Sequence, residues 1–298
     1  MSATGLNTVE ALAAPPPGLW HRPGFKRFRR HRLAVFGAAT ILFLTLACVI
    51  GPWLLPYTDT YIDIRARFSP PFSGSHILGT DPLGRDILAR LLMAGRISLA
   101  VGFSAMLIAM AIGICVGLVA GFYEGVVGAA LMRFVDAMLC FPSIFLLLAI
   151  SALIQPSVPS IVMLIAMTSW MEVARVVEAQ IRSLKTREFA QAAVSFGASN
   201  KRIMIRELLP NAVAPIVVAA TLNVAHAILA ESYISFLGYG IQPPTPSWGN
   251  MLESAQSYLT SAPWLAILPG AAITLAVTSF NFVGDGLRDA LDPRMDLA

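Results

Sequence analysis

The stretch Ile97–Phe122 reads ISLAVGFSAMLIAMAIGICVGLVAGF and contains no charged residue. Because about 20 apolar residues suffice for a helix to cross a bilayer core, this run predicts a membrane-spanning helix. Small side chains recur in it at every fourth position: Ala105, Ala109, Gly113, Gly117 and Gly121. This spacing predicts a stripe on which a second helix packs closely. The alternative is the ordinary enrichment of glycine and alanine in membrane helices.

Five further apolar runs have the length of membrane spans. They are Leu33–Leu55, Phe134–Ile154, Ser160–Val177, Asn211–Phe236 and Pro263–Phe282. Of the 298 residues, 56% are hydrophobic and only 13% are charged, against roughly 25% charged residues in a soluble domain. We therefore expect an all-α polytopic membrane protein with six transmembrane helices, which excludes a free soluble enzyme.

The basic residues predict the orientation of these spans. With the N-terminus in the cytoplasm, 16 of the 21 Lys and Arg residues fall in cytoplasmic segments, and such a bias is typical of cytoplasmic loops. The same residues explain the net charge of +4 without nucleic-acid binding. The predicted division is a basic cytoplasmic tail (1–32), a first transmembrane helix (33–55), an extracytoplasmic segment (56–96), a core of five helices (97–283) with a cytoplasmic loop (178–210), and a cytoplasmic C-terminal tail (284–298).

The usual signatures of catalytic and metal sites do not occur in the sequence. It has no Gly-x4-Gly-Lys-Ser/Thr phosphate loop, no His-Glu-x-x-His and no Gly-x-Ser-x-Gly. The three cysteines, Cys48, Cys115 and Cys140, lie inside apolar runs without metal-ligand spacing. We expect a chain that is not an enzyme and that binds neither a metal nor a cofactor.

Segment 186–210 is the most informative cytoplasmic part of the chain. One apolar helical face is predicted by the i, i+3, i+4, i+7 spacing of Phe189, Ala192, Ala193 and Phe196. Gly197 would end this helix, Ser199 would cap a second one, and Pro210 would end that second helix. Two short helices at an angle would protrude as a bracket for a partner. The alternative is an amphipathic helix on the membrane surface.

A few polar residues fall within the spans or at their ends. Asn223, His226 and Glu231 lie in the fifth span, where they would either line a pathway or form hydrogen bonds between helices. The spacing also permits pairs of Asp136 with Arg133 and of Glu172 with Arg175 on one helix.

Two outer segments carry turn and cap signals. Asp81 followed by Pro82 predicts the start of a surface helix, which Gly95 would end before the second span. The loop 237–262 is rich in Gly and Pro and is expected to be turn-like and partly rigid.

Four ordered motifs together resemble one transporter family. Gln191-Ala192-Ala193-x3-Gly197 with Leu209-Pro210 is similar to the Glu-Ala-Ala loop of ABC importer permeases, although glutamine stands where that family usually has glutamate. ILGTDPLGRD at 77–86, SFLGYGIQPPTPSWGN at 235–250 and GDGLRDALDPR at 284–294 look like the C-type permease subunit of dipeptide, oligopeptide and nickel importers. The resemblance covers roughly residues 25–295.

The resemblance implies a type I ABC importer permease in a bacterial inner membrane. Phe189, Gln191, Ala192, Ala193, Gly197, Leu209 and Pro210 would then form the loop that couples the chain to an ATPase. The implied partners are a homologous second permease, two ATPase subunits that hold ATP and Mg, and an extracytoplasmic binding protein. That protein would dock near Asp81, Arg85, Asp86, Pro244 and Trp248, unless these segments only pack the permease halves together.

Peptides are the substrate class that the resemblance favours, with nickel chelates and glutathione-like peptides as alternatives. Two other classes of protein stay open at this point. An ion-coupled secondary transporter would need broken helices or paired carboxylates near the membrane midplane, for which Glu231 alone is thin support. The other is a membrane scaffold or receptor without transport.

Overall fold

The computed structural model describes residues 23–291, and its regular elements there are helices. The parts of the predicted tails at 1–22 and 292–298 lie outside the described residues. The helices are α1 (Pro23–Arg30), α2 (Arg32–Leu54), α3 (Ile87–Phe122), α4 (Val126–Leu139), α5 (Ser143–Ser151), α6 (Val158–Lys185), α7 (Glu188–Ser195), α8 (Val213–Phe236), α9 (Trp248–Ala255) and α10 (Trp264–Leu291). Short 3-10 turns cover Ile64–Ala66 and Gln256–Tyr258.

Five of these helices, α2, α3, α6, α8 and α10, are long and apolar enough to cross a membrane. The remaining predicted span, Phe134–Ile154, is a bent pair of helices, because α4 and α5 meet at an angle of 78°. The predicted span Phe134–Ile154 thus corresponds to two helices with a sharp break between them, which together are long and apolar enough for one broken span. Pro142 precedes α5 at the bend, where its missing N–H and its ring disfavour a continuous helix.

Helix α3 begins ten residues earlier than the sequence predicts. Asp86 caps it by accepting a hydrogen bond from the backbone N–H of Ala89 at 2.8 Å, and the helix then runs through Gly95. The predicted surface helix from Asp81 to Gly95 is wrong for this reason. Gly95 serves close packing instead, since a Cβ there would lie 2.7 Å from the ring of Trp248.

The stripe of small residues on α3 faces α6 of the same chain. A Cβ built on Gly117 would lie 2.5 Å from the carbonyl oxygen of Ala174, and one on Gly113 would lie 2.6 Å from Cβ of Val173. Space for hydrogen alone at these positions allows the two backbones to approach. The predicted close helix packing is confirmed.

The direction of the helices defines two ends of the bundle. Residues 186–212 connect α6 to α8 at one end, called here the α7 end, and α9 follows α8 at the opposite, α9 end. At the α7 end, Lys185 Nζ donates a hydrogen bond to the carbonyl oxygen of Phe122 at 2.9 Å. This bond joins the last turns of α6 and α3.

The connection after α7 differs in part from its prediction. Gly197 ends α7 as predicted, with a positive φ of 73° that favours glycine. The predicted second helix is a nearly continuous helical path into α8: Asn200–Arg202, a π-helical stretch Ile203–Leu208, and Leu209–Asn211. The prediction that Pro210 ends a helix is wrong, because Pro210 lies in the first turn of Leu209–Asn211, where its missing N–H is tolerated.

A methyl group on the α3 stripe should weaken the fold. We expect Gly117→Ala to destabilise the purified protein by about 1–3 kcal/mol, because the added Cβ overlaps the α6 backbone. Gly270→Ala is the control, since its Cβ would meet only Leu252 at 3.8 Å. Thermal unfolding in detergent measures both, and equal melting temperatures for the two variants would contradict the packing described.

Candidate functional site

A cavity of about 810 Å³ lies between α6, α8 and α10 and extends to the α7 end. Its walls are mostly apolar, and Val173, Val176, Val218 and Leu222 contribute to them. Its polar lining includes Glu172, Arg187, Asn223, His226 and Arg288. An apolar cavity with a few polar groups is the usual form of a small-molecule site.

Two of the three polar residues predicted in the fifth span line this cavity. Asn223 and His226 lie one turn apart on α8, and His226 Nδ1 is 3.7 Å from Glu172 Oε2 on α6. Glu172 therefore pairs across two helices rather than with Arg175. Arg175 forms an ion pair with Asp136 of α4, so the pair proposed between Asp136 and Arg133 is also replaced by a contact between helices.

Glu231 occupies a different environment, at the α9 end. Its side chain is fully buried and accepts hydrogen bonds from Ser98 Oγ at 2.9 Å and from Ser235 Oγ at 2.7 Å. The same two hydroxyl oxygens accept bonds from the backbone N–H groups of Trp248 and Ile241. Of the two roles considered for Glu231, lining a pathway or forming hydrogen bonds between helices, the structure has the second.

Neither serine of this network was predicted as a site residue, although Ser235 is the first residue of the motif at 235–250. Ser98 and Ser235 lie within apolar helices, and serines in such helices commonly bond to their own helix. Their role arises from the contact of α3, α8 and α9. The network joins α3, α8, the loop 237–247 and the start of α9 into one unit at the α9 end.

Three of the predicted docking residues are internal. Trp248 is only 1% exposed, and its Nε1 donates to the carbonyl oxygen of Leu91 at 3.1 Å. Asp81 accepts bonds from the backbone N–H of Leu83 and Arg85, and Asp86 contacts His76 Nδ1 at 2.8 Å.

Asp81, Asp86 and Trp248 are buried by their own chain, so a docked protein could contact them only after a rearrangement of this structure. Pro244 is exposed and Arg85 is half-buried. For these two residues docking stays a prediction.

Helix α7 presents apolar side chains outward at the opposite end. Phe196, just after the helix, is 90% exposed, and Phe189 and Ala192 are also exposed, whereas Ala193 is half-buried. The helix is anchored by Ala190, which packs in one buried cluster with Ile181 and Leu208.

The remaining residues of the predicted coupling loop have simpler environments. Gln191 is exposed, and its Nε2 donates to the carbonyl oxygen of Thr186 at 3.2 Å. Leu209 is half-buried and Pro210 is exposed. The anchors Ala190 and Leu208 were not singled out from the sequence, because the buried side of so short a helix depends on the bundle beneath it.

The Glu231 network should contribute to stability. Glu231→Leu would leave two buried hydroxyl groups without their acceptor, which costs about 1–3 kcal/mol per group, whereas Glu231→Gln keeps an acceptor oxygen. Because the two serines donate to different oxygens of Glu231, we expect a larger loss of melting temperature, and faster proteolysis within 237–247, for the leucine variant than for the glutamine variant. Equal behaviour of the two variants would contradict the role of these bonds.

Comparison with known proteins agrees with this architecture. Residues 113–297 match the model of the family described as binding-protein-dependent transport system inner membrane component, and residues 18–71 match the N-terminal transmembrane domain of oligopeptide transport permease C. The chain is 39% identical to a dipeptide transport system permease of Alkalihalophilus pseudofirmus over an alignment of 298 positions, which covers 98% of each chain. It is 38% identical to a di/tripeptide transport system permease of Pseudomonas aeruginosa over an alignment of 299 positions, which covers 97% of this chain and 99% of the relative. The chain therefore belongs to the family of binding-protein-dependent transport system inner membrane components, whose members are membrane permease subunits of ABC importers.

Proposed function

We propose that this chain is one of two permease subunits of an ATP-driven importer of short peptides. The observation that carries the proposal is the exposed apolar surface of α7, formed by Phe189, Ala192 and Phe196, on a segment that matches the coupling loop of ABC permeases. The two relatives described above are named as dipeptide and di/tripeptide permeases. Their names support peptides over nickel chelates or glutathione-like substrates.

In this proposal α7 docks into a cleft of an ATPase subunit. Burying an aromatic ring such as that of Phe196 removes a large apolar area from water on docking. Helix α7 directly follows α6 in the chain, and the helical path 200–211 connects α7 to α8. A movement of the ATPase would thus reach two of the three helices that line the cavity.

The cavity is proposed as this chain's half of the translocation path. It extends to the α7 end, while the Glu231 network joins α3, α8 and α9 at the other end. If α7 faces the cytoplasm, this arrangement opens inward. Transport would then require the α9 end to separate and the α7 end to close while the ATPases hold ATP.

The remaining partners and the orientation belong to the same proposal. ATP and Mg would bind to two ATPase subunits and not to this chain, which has no Gly-Lys phosphate loop. Both termini would be cytoplasmic, as the bias in Lys and Arg predicts. A binding protein would deliver the peptide at the α9 end, near the exposed Pro244.

The burial of Glu231 argues against an ion-coupled secondary transporter. Its carboxylate is fully buried and held by two serines. Proton or sodium exchange at this carboxylate would need the network to open. No paired carboxylate lies beside Glu231 among its hydrogen-bond partners in the described part of the chain.

A charge on the exposed side of the α7 segment should disrupt coupling. We expect Phe196→Asp to release the ATPase subunits, because the carboxylate would lose its hydration in an apolar cleft without a partner. The measurement is the yield of ATPase subunits that copurify with the permease, together with peptide uptake in cells. A loss of at least tenfold is expected in both.

Phe72→Asp is the matched control, because Phe72 is 84% exposed and precedes α3, at the α9 end. We expect that variant to retain its ATPase subunits. If Phe196→Asp also retained them at matched expression, the α7 segment would not be the docking element. A membrane-surface role for α7 would then be the better account.

A further inference from the structure

We propose that Asn223 contacts the main chain of the peptide during its passage through the cavity. This inference rests on the proposed function and adds a residue that contacts the substrate. The amide of Asn223 would form hydrogen bonds with main-chain groups of the peptide in transit.

Asn223 is a buried side chain whose hydrogen-bonding capacity is not used within the described residues. It is 4% exposed, and its Oδ1 is buried without a hydrogen-bond partner. Asn250, which is buried to a similar degree, bonds to the carbonyl oxygens of Ile241 and Thr245 and to the backbone N–H of Ser247. Because an unsatisfied buried amide reduces stability, such a group in a native structure needs a reason.

The position of Asn223 supplies that reason, since its side chain lines the cavity. His226, one turn further along α8, and Glu172 on α6 line the same cavity, and both are more than half exposed. The cavity of about 810 Å³ falls within the size range of sites for drug-sized ligands. A short peptide therefore has room beside the Asn223 amide.

The chemistry of an amide suits a substrate whose side chains vary. A primary amide carries donors and an acceptor side by side, and one extended residue of a peptide presents its own N–H donor and C=O acceptor on the same side of the chain. The pair can form two hydrogen bonds that do not depend on the peptide's side chains. Val173, Val176 and Val218 give the cavity an apolar wall beside which side chains of different size can lie.

The other potential partner of Asn223 is a side chain of the second permease. This alternative fits the burial less well, because an amide that is 4% exposed and recessed between helices is out of reach of a flat helix face. A small or extended ligand that enters the cavity can approach it. The two alternatives predict different effects of one substitution, which makes the inference testable.

The test uses the complete importer, with both permeases, both ATPases and the binding protein, in proteoliposomes. Asn223→Leu keeps the size of the side chain and removes the amide, and Asn223→Gln keeps the amide. Thr221→Val is the control, because Thr221 lies two residues away and its hydroxyl bonds to the carbonyl oxygen of Val218 in its own helix. The readouts are uptake of radiolabelled trialanine and ATP hydrolysis stimulated by the loaded binding protein.

We expect Asn223→Leu to lower trialanine uptake by about three- to tenfold, the usual effect of losing one or two net hydrogen bonds. ATP hydrolysis should stay within twofold of the original, so that fewer peptides are carried per ATP. Asn223→Gln should recover at least half of the lost uptake, and Thr221→Val should behave like the unmodified protein.

Two results would overturn the inference. Unchanged uptake by Asn223→Leu would mean that the amide does not touch the peptide. A parallel fall of uptake, ATP hydrolysis and complex yield would place Asn223 at the contact with the second permease. If the unmodified complex imports no peptide at all, the proposed function itself fails, and the inference fails with it.

Discussion

The contact between α3 and α6 is the constraint on which the rest of the structure depends. Glycines at 113, 117 and 121 bring the α6 backbone against α3, and Lys185 joins their last turns at the α7 end. Because α6 is fixed in this way, α7 leaves the bundle at a defined place. Glu172, on the same helix, is held opposite His226 of α8. The small residues thus position both the α7 segment and one wall of the cavity.

The two ends of the bundle use their buried polar groups in opposite ways. At the α9 end, Glu231 is saturated by two serines, and the serines in turn accept bonds from Trp248 and Ile241. Nearer the α7 end, Asn223 is left without a partner for its Oδ1 in the described part of the chain. A satisfied network stabilises one arrangement of helices, whereas an unsatisfied group in a cavity favours a ligand. This asymmetry matches a path that is closed at the α9 end.

Features that depend on local spacing were predicted well from the sequence. The stripe on α3 follows from residues four positions apart on one helix, the end of α7 follows from Gly197, and most spans follow from the length of the apolar runs. Features set by tertiary contact were not. Asp81-Pro82 and Gly95 carry signals of a helix start and end, but Trp248 packs against Gly95 and α3 continues. In the same way, Glu172 pairs with His226 and Asp136 pairs with Arg175 on another helix, and spacing along one helix cannot reveal such pairs. The proposed contact of Asn223 with the peptide is harder still to predict, because the partner of this amide would not be part of this chain.

The most direct test of the central claim is peptide accumulation by the reconstituted complex. The complete importer would be placed in proteoliposomes with ATP and Mg enclosed and the loaded binding protein outside, and internal radiolabelled trialanine would be measured over time. The account predicts that the peptide rises above its external concentration only when enclosed ATP and external binding protein are both present. Accumulation that follows an imposed proton or sodium gradient without ATP would contradict it.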